Sequence, residues 1–166
     1  MRTLALPGLL LLLACVVWVA CARERQNADP TPLGQLPQVE LIVGATRVRA
    51  HVVLTYADRK RGLGGVRQLA NDEGMLFVYR DLERRQFWMR DCWIPLDIAF
   101  LGEDGHVLQL ETLSPPAAGT ERTPRTRLSP PSAYVLEVEA GFFQRHGLGV
   151  GTVVQIPAEV RRTAAE

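Results

Sequence analysis

The chain has 166 residues, 47 % of them hydrophobic, with 19 Lys+Arg against 18 Asp+Glu. Setting aside residues 1–21, whose only charged side chain is Arg2, leaves 145 residues with 18 basic and 18 acidic side chains. That is enough for one domain with a real core and too few for two. The balance supplies no basic field, which argues against nucleic acid as a partner. Cys92 is the single cysteine beyond residue 21, which excludes an internal disulfide in that part.

Residues 1–21 have the form of an export signal: a positive start at Met1-Arg2, an uncharged stretch over 4–19, and the small residues Ala20-Cys21-Ala22 before Arg23. A cysteine after a small residue there resembles the lipobox of bacterial lipoproteins, which makes Cys21 the candidate for acylation. Trp18 stands where Leu is usual. Cys15, after Leu12-Leu13-Ala14, fits the letters better but leaves a shorter signal. Two other readings stay open: an uncleaved anchor helix, because about 18 apolar residues just span a bilayer, and a freely secreted protein. All three place the folded domain outside the cytosol; the expected location is the cell envelope, with a membrane tether through lipid or an N-terminal helix.

Residues 22–37 are polar, with Pro30, Pro32, Gly34 and Pro37, and read as a tether ahead of a domain spanning 38–157. Alternation over 39–43 and 46–52 around Gly44-Ala45 predicts a hairpin. Thr55 followed by Asp58 is a capping signal for a helix over 56–61 that Gly62 ends, with Gly62-Leu63-Gly64-Gly65 as a turn. Short apolar runs at 75–79, 87–89, 98–101 and 107–110 read as strands, the last two joined by Glu103-Asp104-Gly105. Five prolines between 114 and 131 interrupt the pattern with a loop that is either a functional flap or disordered. A strand over 134–139, a short helix over 140–146 closed by Gly147, a last strand over 150–156 and a loose tail over 158–166 complete the reading. The predicted fold class is α+β, mostly β: a compact, mostly antiparallel sheet or small barrel with two short helices.

Three runs occur in order: Glu73-Gly74-Met75-Leu76-Phe77, Phe87-Trp88-Met89-Arg90-Asp91, and Ile94-Pro95-Leu96-Asp97-Ile98. Together with Arg61-Gly62-Leu63 upstream and Tyr134-Val135-Leu136-Glu137-Val138 downstream, they resemble the small bacterial and archaeal family called domain of unknown function 192. The resemblance covers about residues 38–157 and implies a compact β-rich domain, often behind an export signal, with no established reaction. The chain departs from the family pattern at Arg90-Asp91-Cys92, where Lys-Asn-Thr is usual, at Gly64-Gly65, where a Met is usual, at Thr152, where Asp is common, and in the Pro-rich 114–131 segment.

In a strand, Trp88 and Arg90 share one face, and an aromatic ring beside a guanidinium suits a flat or anionic ligand. In the alternative reading Trp88 covers the core edge while Arg90 pairs with Asp97 or Glu137. The ligand-binding candidates are therefore Trp88, Arg90, Asp97 and Arg61, gathered around one concave surface with the Pro-rich segment as rim or flap. Asp97 precedes an apolar run and is open to a purely structural role as a buried, hydrogen-bonded carboxylate. Asp91 and Asp97 are the weak catalytic candidates, as an acid and base pair flanking the Pro95 bend. Cys92 has no histidine near it in sequence, and His51, His106 and His146 have no metal-ligand spacing, so neither thiol catalysis nor a metal site is expected. No cofactor motif is present. The expected function is a non-catalytic, membrane-tethered envelope module that binds an unknown small ligand or an envelope protein. The alternative is a small enzyme acting on a polar or carbohydrate-like substrate through Asp91, Asp97 and an arginine.

Overall fold

The Gly44-Ala45 turn joins β1 (Gln38–Val43) to β2 (Thr46–Val53) in an antiparallel hairpin with Val43 opposite Thr46, as the alternation predicts. The structure, a computed structural model, describes residues 29–165. Helix α1 (Tyr56–Arg61) starts where the capping signal lies: the Asp58 N–H donates to Thr55 Oγ1 at 3.1 Å. It ends at Gly62, whose φ of +52° is a conformation that a Cβ disfavours. The remaining elements are β3 (Glu73–Glu83), β4 (Leu96–Leu101), β5 (Val107–Leu113), β6 (Ser132–Glu139), α2 (Phe142–Arg145), β7 (Val154–Gln155) and α3 (Ala158–Ala165).

The seven strands form one sheet in the order β5-β4-β6-β3-β2-β1-β7. Every pair is antiparallel except β2 and β3, which run parallel because α1 carries the chain back across. The sheet curls into a half-barrel. At one end His106 bridges Val153, the Val107 N–H donates to Thr152 O at 2.9 Å, and the Gly151 N–H donates to Val107 O at 2.8 Å.

Both faces of the central strands are buried, which is why β4 and β6 read as nearly continuous apolar runs. One face carries Leu41, Val48, Leu76, Ala99, Leu136 and Val138 against Phe142 and Phe143. The other carries Val53, Met75, Phe77, Ile98, Phe100 and Val135, covered by Leu36, Leu63, Leu69 and Met89 from the loops. The candidate site sits at the border of this second core.

The structure alters the predicted pattern in several places. The described residues form three α-helices instead of the expected two, besides a 3-10 turn at Leu33–Gln35, because the tail expected to be loose forms α3, with Val160 buried against the first core. The tether also ends earlier than expected: Leu36 is buried, the Thr31 N–H donates to the Asp58 carboxylate at 2.7 Å, and the Val52 N–H donates to Pro37 O at 2.8 Å. The folded unit thus overruns 38–157 at both ends. Residues 87–89 make no strand beyond an isolated bridge from Trp88 to Arg125, and the last strand shrinks to β7. The second half of the Pro-rich segment is no free flap. It lies along 85–89, tied by Met89 N–H to Pro124 O, Thr126 N–H to Phe87 O and Ser129 N–H to Arg85 O, so its polar backbone is satisfied without a regular strand.

Candidate functional site

Strand β3 outruns its parallel partner: β2 ends opposite Phe77, and residues 78–83 continue beside the start of α1. Between them lies an open groove of about 800 Å³ lined by Tyr56, Arg59, Lys60, Tyr79, Arg85 and Trp88, among others. Its walls pair guanidiniums with rings. Arg85 lies 3.4 Å and Arg59 4.9 Å from the Tyr79 ring centroid; Arg90 and Arg125, which line a separate surface groove beside the Pro-rich segment, lie 4.7 Å and 5.2 Å from that of Trp88. Arg59 is held by Leu54 O and Val78 O, and Arg85 by Ser132 O and by an ion pair with Asp81. These two cations are positioned by backbone carbonyls, Arg85 also by Asp81, and both lie over the Tyr79 ring.

A smaller cavity of about 110 Å³ shares Arg59, Lys60, Tyr79 and Trp88 with the groove and reaches inward to Arg61, Gly62, Phe77, Phe87, Cys92 and Glu137. Glu137 is the lone acid in the middle of β6, on the same face as its register partners Met75 and Ile98. It is 4 % exposed. Burial is the larger influence on its carboxyl and pushes the pKa up to about 8, against a smaller lowering by the Leu63 backbone N–H. At neutral pH the group is mostly a neutral acid, able to donate a hydrogen bond.

Among the described residues, three buried side-chain atoms lack a hydrogen-bond partner, and two of them, Glu137 Oε2 and Arg61 Nη2, belong to residues lining this one cavity. Unsatisfied buried polar atoms are uncommon in folded proteins and call for a reason. The Gly62 turn keeps the space open, because a Cβ there would stand 3.3 Å from Phe77 Cζ and 3.6 Å from Glu137 Oε2. The Cys92 thiol is raised to about 12 by burial first and then by Glu137 and Asp91, so it is a neutral wall and no nucleophile. The Tyr79 phenol is likewise raised to about 12, chiefly by burial.

Of the residues singled out from sequence, the structure brings Trp88 and Arg90 together by stacking and places Trp88 and Arg61 on one cavity. Asp97 is elsewhere. It pairs in register with Val138 and so faces the opposite side of the sheet from Glu137, where its buried carboxylate accepts from Thr112 Oγ1 at 2.6 Å and from the Phe143 N–H at 3.2 Å. The expected cluster of Trp88, Arg90 and Asp97 does not form, because the alternation of β4 sends Asp97 into the first core. Asp91 is exposed, so it shares no cleft with Asp97 and the two cannot act as an acid and base pair. Cys15 and Cys21 lie outside the described residues. No described helix is long and apolar enough to cross a membrane, and no group of three or more potential metal-ligating side chains occurs among the described residues.

Tyr79, Arg59, Arg85 and above all Glu137 were not among the sequence candidates. The available signal was a single acid inside Ala133-Tyr134-Val135-Leu136-Glu137-Val138, a run apolar at both parities and so buried on both faces.

The family model DUF192, described as an uncharacterised ACR, matches residues 39–156. The chain belongs to this family. Among solved structures, a protein of unknown function from Novosphingobium aromaticivorans DSM 12444 is 28 % identical with a TM-score of 0.64, covering 80 % of this chain and 96 % of that one. A candidate transcription regulator from Sinorhizobium meliloti 1021 is 29 % identical with a TM-score of 0.60, covering 71 % of this chain and 91 % of that one. No curated protein matches. Asp91 has a φ of +58°, a left-handed conformation that Asn and Asp tolerate best among residues with a Cβ. The Asp91 carbonyl accepts the Gly65 N–H at 2.9 Å, so the turn docks on the Gly62–Gly65 loop and holds the cavity wall.

Proposed function

We propose that this domain is a non-catalytic binding module for a small anionic ligand with a flat ring, tethered in the cell envelope through Cys21. The observation that carries the reading is the groove whose rings, Trp88 and Tyr79, are each flanked by two arginines and which opens onto two unpartnered buried polar atoms. Aromatic faces take the flat part of a ligand, guanidiniums take its charge, and a few convergent polar groups set its orientation. A binding role is favoured over catalysis by the raised Cys92 thiol, by the absence of histidine from the groove and cavity linings, and by the separation of Asp91 from Asp97.

The test is a thermal-shift series of the protein with phenylacetate, phenyl phosphate and uncharged phenylacetamide. The reading expects the anions to raise the melting temperature, phenylacetamide to do so less, and Trp88→Ala to abolish the anion effect. Shifts that survive Trp88→Ala, or are equal for charged and uncharged probes, would overturn it.

A further inference from the structure

We infer that the inner cavity is a carboxylate pocket in which Glu137, holding its proton, donates a hydrogen bond to the ligand's carboxylate while Arg61 supplies the one matching positive charge. The inference rests on the groove reading and names its ligand class.

Glu137 Oε2 and Arg61 Nη2 are both buried and both without a partner. Had they served each other, they would not be left open. An arginine can only donate, so whatever meets Nη2 is an acceptor. The group that Glu137 meets depends on its proton, and burial keeps that proton in place at neutral pH, with a pKa of about 8. Two donors on residues lining one small cavity suit two acceptor oxygens on one group, and a carboxylate offers two in a plane.

The groups facing Glu137 fix the charge of that ligand. From the α1 end come Arg61 and, at the mouth, Arg59 and Lys60; β3 contributes Tyr79; the segment after Met89 contributes Cys92, with Asp91 exposed behind it; the β4 register partner is Ile98. Tyr79 and Cys92 are neutral, both raised to about 12. Arg59 is committed to two backbone carbonyls. The floor therefore offers a single unspent guanidinium and suits a monoanion better than a dianionic phosphoryl group.

Binding of this kind is proton-linked. The competent state has Glu137 neutral, and once that group ionises its negative charge repels the ligand. Affinity for a carboxylate, itself ionised above about pH 5, is then level up to the Glu137 midpoint and weakens about tenfold per pH unit beyond it.

The experiment measures the dissociation constant of phenylacetate by calorimetry at pH 6.5 and pH 9.5 on the wild type, Glu137→Gln, Arg61→Gln and Trp88→Ala, each checked for cooperative melting. The inference expects wild-type binding at least about tenfold weaker at pH 9.5. It expects Glu137→Gln, whose amide N–H donates at any pH, to bind equally at both, and Arg61→Gln to weaken binding at both. Phenyl phosphate should bind more weakly than phenylacetate throughout. Should phenylacetate bind alike at the two pH values and be indifferent to Glu137→Gln and Arg61→Gln, yet be lost in Trp88→Ala, the pocket is refuted and the groove reading stands. Failure of the wild type to bind either anion at pH 6.5 refutes both.

Discussion

Asp97 and Glu137 are buried carboxyls on neighbouring strands that face opposite sides of the sheet: Asp97 stands opposite Val138, and Ile98 opposite Glu137. The one-residue offset decides their chemistry. Asp97 meets the Phe143 N–H and the Thr112 hydroxyl, while Glu137 has only the Leu63 N–H and keeps an oxygen without a partner. Asp97→Ala should thus cost roughly 2 kcal/mol in urea unfolding, because it orphans a buried donor, and should leave phenylacetate binding intact. Lost binding at wild-type stability would place Asp97 in the site after all.

Arg90 is exposed and its guanidinium stacks on the Trp88 ring, and the proposed function has it meet ligand beside that ring. Arg90→Ala should change unfolding free energy by less than about 1 kcal/mol while weakening anion binding. A loss of stability of roughly 3 kcal/mol, the signature of a broken buried ion pair, would contradict this.

The tether makes a separate prediction. A protein acylated at Cys21 should incorporate labelled fatty acid and fractionate with membranes, and Cys21→Ser should abolish both. Labelling that persists in Cys21→Ser and disappears in Cys15→Ser would move the site to Cys15. A mature mass that retains residue 1 would mean an uncleaved anchor.

Much of the frame is legible in local chemistry. Gly44-Ala45 between alternating runs specifies the hairpin, and Thr55, Asp58 and Gly62 bound α1 to the residue, because caps and turns depend on near neighbours. The pairing of Trp88 with Arg90 is likewise local, two residues apart, and their stacking does not need a strand. What the sequence hides is which face of a doubly buried strand a polar residue takes. The runs around Asp97 and Glu137 look alike, both apolar at every position. Only the register against β6 and the neighbours above each face distinguish a satisfied carboxylate from an unsatisfied acid. The Pro-rich segment misleads for a similar reason: its hydrogen bonds to 85–89 join residues about 40 apart, and composition carries no trace of that distance.

Burial of Glu137 also sets the pH dependence of stability. Its carboxyl is raised from an ordinary 4.5 to about 8, so between those values the folded protein holds a proton that the unfolded chain has released. Stability should then fall as pH rises through that window, by on the order of 5 kcal/mol in total, and level off above it. Glu137→Gln removes the contribution. It should match the wild type within about 1 kcal/mol at pH 5 and exceed it clearly at pH 9. A variant less stable than the wild type at pH 9 would show that the ionised carboxylate has a partner in the fold.

The most direct measurement is the titration of that carboxyl itself, followed by the carbon-13 shift of Glu137 in the protein without ligand and assigned by its disappearance in Glu137→Gln. The account predicts a midpoint near pH 8 that moves upward when phenylacetate is added, because the bound anion holds the proton in place. A midpoint near the ordinary 4.5, unchanged by phenylacetate, would mean that Glu137 is an ionised structural carboxylate and that the cavity is no carboxylate pocket.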